Sequence, residues 1–148
     1  SLDDIEKRIL FKKFPDYRLH FVLVCGAVSC PPLPAVVPNS GNIQSVLDNQ
    51  VNKFITSDKY IKVDPIEKEL VISSIFDWYA TDFDKFVGSY DGPSAPTSSK
   101  LLGAFSFIVR SREDVKKALL DGDLLGIRVE KYDWTINDSR NFIIDGKQ

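Results

Sequence analysis

The apolar and polar positions divide the chain into short segments of two different periods. Ile5, Ile9 and Leu10 share one helical stripe after Ser1-Leu-Asp-Asp4, which has the form of a capping box, and they predict a helix over about 2–12 that Pro15 ends. Arg18 to Cys25 (RLHFVLVC) is nearly continuous in apolarity and rich in branched and aromatic side chains. That is the signature of a strand buried on both faces, so 18–25 is expected to be the centre of the sheet. Gly26 interrupts it. Pro31, Pro32, Pro34 and Pro38 then hold a loop extended and short of backbone donors.

Further along, Ile43, Val46, Leu47, Val51, Phe54 and Ile55 recur at intervals of three and four and predict a helix to about Thr56. Tyr60–Asp64 and Glu69–Ser73 flank Pro65-Ile-Glu-Lys68 in the pattern of a β-hairpin. Ser74 to Phe86 is dense in aromatic residues but broken near Ala80-Thr-Asp82, which favours two short helical pieces. Gly88 to Ser99 reads as a surface loop by composition. Helices are expected over about 99–109 and 111–121, the second opened by Ser111-Arg-Glu-Asp114. Ile127–Tyr132 alternates as a strand before Asp133–Asp138 turns out of it. No internal repeat is present. The sum is one α+β domain over 1–148, with a small, mainly antiparallel sheet packed by several helices.

Composition narrows the function classes. The 148 residues suffice for one core without staples, and 43% hydrophobic with 27% charged residues is ordinary for a globular domain. A net charge of −2 with scattered Lys and Arg argues against nucleic acid or anionic lipid as a partner. The densest basic run, Lys7-Arg8 with Lys12-Lys13, is offset by Asp3, Asp4 and Glu6. No stretch approaches the roughly 20 apolar residues of a membrane span, and no basic-then-apolar leader opens the chain, so a cytoplasmic location is expected. Methionine is absent even at position 1, so the chain is expected to be a fragment or processed product. Its expected partners are other domains of the same polypeptide or another protein.

Candidate chemistry concentrates in His20 to Pro34. His20 is the only histidine, and with Cys25 and Cys30 it forms a His-x4-Cys-x4-Cys series. In a strand rising about 3.3 Å per residue, His20 and Cys25 would stand roughly 16 Å apart on opposite faces, so they are not expected to pair directly. Gly26 can reverse the chain, which leaves His20 with Cys30 as the conditional pair. Cys30 precedes proline, is therefore held extended rather than capping a helix, and needs a neighbour such as His20 to become a thiolate. Cys25 has the bland alternative of a small buried hydrophobe, and His20 that of a hydrogen-bonded strand residue.

No Cys-x2-Cys pair or second Cys/His cluster accompanies them, so no metal and no cofactor are expected. The Cys-x4-Cys spacing also lacks the two-residue interval of thioredoxin-type motifs. Tyr132-Asp133-Trp134 with Asn137 places an acid and an amide at a strand end, where they could orient an imidazole or simply form an Asx turn beside a core tryptophan.

Four segments carry a family resemblance: SLDDIE at the start, LHFVLVCGAVSCPPL from Leu19, IFDWYATDF from Ile75 and YDWTIN from Tyr132. Together they closely resemble the domain-of-unknown-function family numbered 547 over nearly the whole chain. The resemblance implies an α/β domain found alone in bacteria and, in eukaryotes, on the C-terminal side of glutaredoxin, DEP or leucine-zipper segments. It places His20, Cys25, Gly26, Ser29, Cys30, Pro31, Asp133, Trp134 and Asn137 on motif positions without giving them chemistry. The family's domain normally opens with an upstream helix carrying an aromatic-x-Asn-x-Tyr-Asn pattern. This chain lacks that pattern and is expected to be the C-terminal majority of a larger domain.

Three functional expectations follow. The first is a non-catalytic regulatory or interaction module of a multidomain protein. The second is a cysteine-dependent hydrolase or transferase with Cys30 as nucleophile, His20 as base and Asp133 or Asn137 orienting it, which requires the Cys30 sulfur about 4 Å from a His20 nitrogen. The third is redox work alongside a glutaredoxin, which requires Cys25 and Cys30 within disulfide reach.

Overall fold

The computed structural model describes residues 1, 4–88, 90, 92 and 95–138. The start expected for the first helix, at residue 2, lies outside the described residues, as do 89, 91, 93 and 94 of the expected 88–99 surface loop. Ile5–Leu10 winds as a π-helix that tightens into α1 (Phe11–Lys13). It is followed by α2 (Ile43–Ile55), the hairpin strands β1 (Ile61–Asp64) and β2 (Glu69–Ser73), and the short helices α3 (Ser74–Trp78) and α4 (Ala80–Val87). A 3-10 turn at Ser99–Leu101 leads into α5 (Leu102–Ser111), α6 (Glu113–Leu120) and β3 (Gly126–Glu130). The α+β class expected from the sequence is the class observed.

The sheet has the order β1-β2-β3. β1 and β2 pair antiparallel with Ile61 opposite Ile72 and Asp64 opposite Glu69, the register of the expected hairpin. Asp64 closes its turn by accepting from the Ile66 and Glu67 amides, and Lys68 takes φ +53°. β3 joins the other edge of β2 in parallel, Leu70 opposite Ile127, because α3 to α6 supply the crossover that a parallel pair needs.

The expected buried central strand over 18–25 is not a strand. Tyr17–Phe21 forms a 3-10 helix and β2 is the central strand. The cause is Asp16, whose carboxylate accepts from the Arg18 amide at 2.9 Å and caps the turn. The Arg18 guanidinium then locks it, reaching Asp16, Asp48 and Gln44. Consecutive apolar residues suit a buried helical turn as well as a buried strand, and Leu19, His20 and Phe21 are all buried here.

The core is aromatic. Phe21 is fully buried and meets Phe54 at a ring separation of 4.8 Å, while Phe76 meets Phe83 at 5.1 Å. Each such side chain contributes about 1.5–3 kcal/mol of hydrophobic stabilisation. α4 and α5 approach closely enough that a Cβ on Gly103 would lie 2.4 Å from the Asp84 backbone nitrogen, and Asp84 instead accepts a hydrogen bond from the Gly103 amide. Among the described residues, no helix is long and apolar enough to cross a membrane.

Candidate functional site

The chain reverses immediately after Val24. Gly26 adopts φ +76°, a conformation open to glycine at little cost, and the Cys30 amide donates to the Ala27 carbonyl to close a tight turn. The segment that follows β3 stitches this turn in place. Ala27 bridges Ile136 antiparallel, the Val28 and Ser29 amides donate to the Thr135 and Asp133 carbonyls, and the Asn137 amide donates to the Gly26 carbonyl. Ser29 Oγ accepts from the Asp133 amide at 2.9 Å. From the other side, Tyr60 donates its hydroxyl to the Cys30 carbonyl at 2.9 Å, and buried Gln50 donates to the carbonyl of Pro32.

This clamp brings the two thiols together. Cys25 Sγ lies 3.1 Å from Cys30 Sγ, and the Cys25 amide donates to Cys30 Sγ at 2.8 Å. Their surroundings differ sharply: Cys25 is exposed and Cys30 is buried. The Tyr132 hydroxyl sits 3.3 Å from Cys25 Sγ. Partial burial opposes ionisation of Cys25, but hydrogen bonds from Tyr132, Cys30 and nearby backbone amides hold its thiol below the ordinary value. Burial pushes the Cys30 thiol up. Tyr132 is pushed upward too, by burial and by its thiol neighbours, so it remains a donor. Cys25 is therefore the more acidic of the two thiols, within hydrogen-bond reach of both Cys30 Sγ and the Tyr132 hydroxyl.

His20 is held differently from the expected arrangement. Its Nε2 is 2.8 Å from an Asp82 carboxylate oxygen in the first turn of α4. Its ring is sandwiched between Tyr79 (centroids 3.6 Å apart) and Phe11 (4.6 Å). Burial lowers its pKa, with Asp82 pulling the other way, so the ring is neutral and donates from Nε2. Nδ1 is buried and has no hydrogen-bond partner among the described residues, so neither thiol is within bonding reach of it.

Asp133 is not brought to the imidazole. Its carboxylate accepts from the Thr135 amide at 2.9 Å, the Asx turn, and hydrogen bonding from the Thr135 side chain and amide lowers its pKa. Asn137 contributes its amide to the Gly26 clamp. Trp134, expected as a possible core residue, is 66% exposed. It stacks with Trp78 at 5.7 Å, and Tyr132 packs against both indoles.

These groups share one cleft of about 440 Å³, lined by His20, Cys25, Cys30 and Pro31 and walled by the three rings of Trp78, Tyr132 and Trp134. Among the described residues, no group of three His, Cys, Asp or Glu side chains could hold a metal ion. Sequence reasoning did not single out Asp82 or Tyr132 for these roles. The available signals were an acid at the start of a helical piece rich in aromatics and a tyrosine at the end of a strand.

Comparison with known proteins adds one finding. Residues 1–55, the part that carries His20, Cys25 and Cys30, match the model of the family described as protein of unknown function, DUF547, and are consistent with a DUF547 domain. No curated protein and no solved structure matches the chain.

Proposed function

We propose that this DUF547-type domain carries out thiol–disulfide exchange, with Cys25 as the attacking thiol and Cys30 as the resolving thiol. The observation that carries the reading is the 3.1 Å approach of two sulfurs of unequal exposure. An exposed thiol of lowered pKa beside a buried one of raised pKa is the division of labour that exchange requires. The wide Cys-x4-Cys spacing is no obstacle, because Gly26 and the Ala27–Cys30 turn close it. A module that only positions neighbouring domains would leave this pair without a use. For a hydrolase, accessibility favours Cys25 over Cys30 as nucleophile.

The chemistry is a two-electron exchange. The Cys25 thiolate attacks one sulfur of a substrate disulfide, forming a mixed disulfide and expelling the first substrate thiolate. Cys30 then attacks Cys25 Sγ, its proton passing to the departing second thiolate. The substrate disulfide is reduced to two thiols and the pair is oxidised to a Cys25–Cys30 disulfide. A dithiol reductant, small or protein-borne, restores it.

An aromatic disulfide reagent that releases a coloured thiolate tests the reading. The reduced chain is expected to release two equivalents of thiolate and retain no adduct, whereas Cys30→Ser releases one and retains it. Two retained adducts on the unaltered chain would overturn the proposal.

A further inference from the structure

We infer that the cleft beside Cys25 recognises a peptide disulfide flanked by an aromatic residue, in preference to a glutathione disulfide, with His20 Nδ1 accepting a hydrogen bond from an N–H of the bound peptide. This inference rests on the exchange reading and specifies its substrate class.

The first support is the unpartnered nitrogen. The His20 side chain is only 1% exposed, and both faces of its ring are covered by Tyr79 and Phe11. Polar contact is therefore confined to the ring edges, and Asp82 occupies the Nε2 edge. Because Nε2 carries the proton, Nδ1 presents a lone pair and can only accept. Among the described residues this buried acceptor has no partner, which is uncommon in folded proteins and calls for an explanation. His20 lines the cleft, so a donor bound there is the one that would satisfy it.

Shape and charge supply the rest. A cavity of about 440 Å³ lies within the range of ligand sites and can take a large side chain. Its rim carries Trp78 and Trp134, 49% and 66% exposed, which offer flat apolar faces for an aromatic ring to stack on. Among the described residues, no lysine or arginine lines it, and Glu6 does. The carboxylates of glutathione would meet the Glu6 carboxylate on the lining and no cation among the described lining residues, while Lys59 lies outside the lining, near Cys30 and Asp133. A neutral peptide with an aromatic flank meets neither difficulty, and its backbone brings the N–H that His20 lacks.

Both tryptophans of the chain stand in this cleft, so their emission reports occupancy directly. The test uses Cys25→Ser to measure binding without turnover and the unaltered chain to measure rates. The probes are the disulfide dimer of a blocked Phe-Cys-Gly peptide and oxidised glutathione.

The aromatic peptide is expected to change the emission saturably and to react at least about tenfold faster than oxidised glutathione, the worth of one buried hydrogen bond or stacked ring. His20→Phe, which keeps the stacking and removes the acceptor, should weaken binding about tenfold, and so should Trp134→Ala, which alters an exposed residue and tests the claim even if the first variant fails to fold. Equal rates for the two disulfides, or undiminished binding by Trp134→Ala, would overturn the inference while leaving thiol exchange standing. Saturable binding of the aromatic peptide without turnover of either disulfide would support the recognition site and defeat the exchange reading. Emission that changes with the concentration of the chain alone would show a second copy in the cleft and also overturn the inference.

Discussion

The hydroxyl of Tyr132, at the start of the segment that follows β3, lies 3.3 Å from the sulfur of Cys25, a residue 107 positions earlier. It joins the turn at Gly26 to the far end of the sheet and gives the exposed thiol a donor that burial keeps protonated. The surroundings of Cys25 thus depend on long-range packing as much as on its own motif.

Alkylation of Cys25 should follow a pH profile displaced below that of a free cysteine, since its thiol is lowered by its donors. Tyr132→Phe removes one donor and keeps the ring, so the profile should move to higher pH and the rate at neutral pH should fall roughly two- to tenfold. Iodoacetamide labelling resolved by peptide mapping measures this. Unchanged labelling in the variant would show that the hydroxyl does not support the thiolate.

His20 makes stability depend on pH in a definite direction. Burial lowers its folded pKa below the unfolded value of 6.5. Below that pH the unfolded chain binds more protons than the native one, and stability must fall as pH drops from 6.5 toward the folded pKa. The slope from this one group is at most about 1.4 kcal/mol per pH unit. Urea unfolding of the unaltered chain and of His20→Phe between pH 7 and pH 5 is the check. The difference in stability between them should shrink as the pH falls, and a constant difference would argue against a buried neutral imidazole.

Much of the fold was legible because its signals are local. α2 follows from the recurrence of Val46, Leu47, Phe54 and Ile55, and the hairpin from two short runs about Pro65. The segment around His20 misled because apolar continuity does not distinguish a buried strand from a buried helical turn. The deciding residue was Asp16, a cap placed just after Pro15. The site was less legible. The strand along which the His20 to Cys25 separation was measured is absent, so that measure does not apply, while the two side chains share no hydrogen bond among the described residues. The sulfur pair depends on a backbone reversal at Gly26 held by residues 133–137, contacts that sequence spacing does not encode. Asp82 was hidden for a similar reason, since its partner lies 62 positions away.

Two glycines should respond differently to alanine. At Gly103 the new Cβ would stand 2.4 Å from the Asp84 backbone nitrogen, so α4 and α5 must separate, at a cost of about 1–3 kcal/mol. At Gly26 no atom lies within 4 Å, and the cost is backbone strain at φ +76°, about 1–2 kcal/mol. Only the second should also perturb the thiol pair. Denaturant unfolding combined with Cys25 labelling separates the two, and equal effects of both variants on labelling would contradict the role given to the Gly26 turn.

The most direct measurement is the thiol–disulfide equilibrium of the folded chain in redox buffers of graded potential, with the product identified by peptide mapping. A single intramolecular Cys25–Cys30 disulfide should form in a two-electron transition, with the fold retained in both states. If the cysteines instead titrate independently to separate mixed disulfides with the buffer thiol, or if linkage occurs only after unfolding, the two sulfurs do not work as a pair and the account fails.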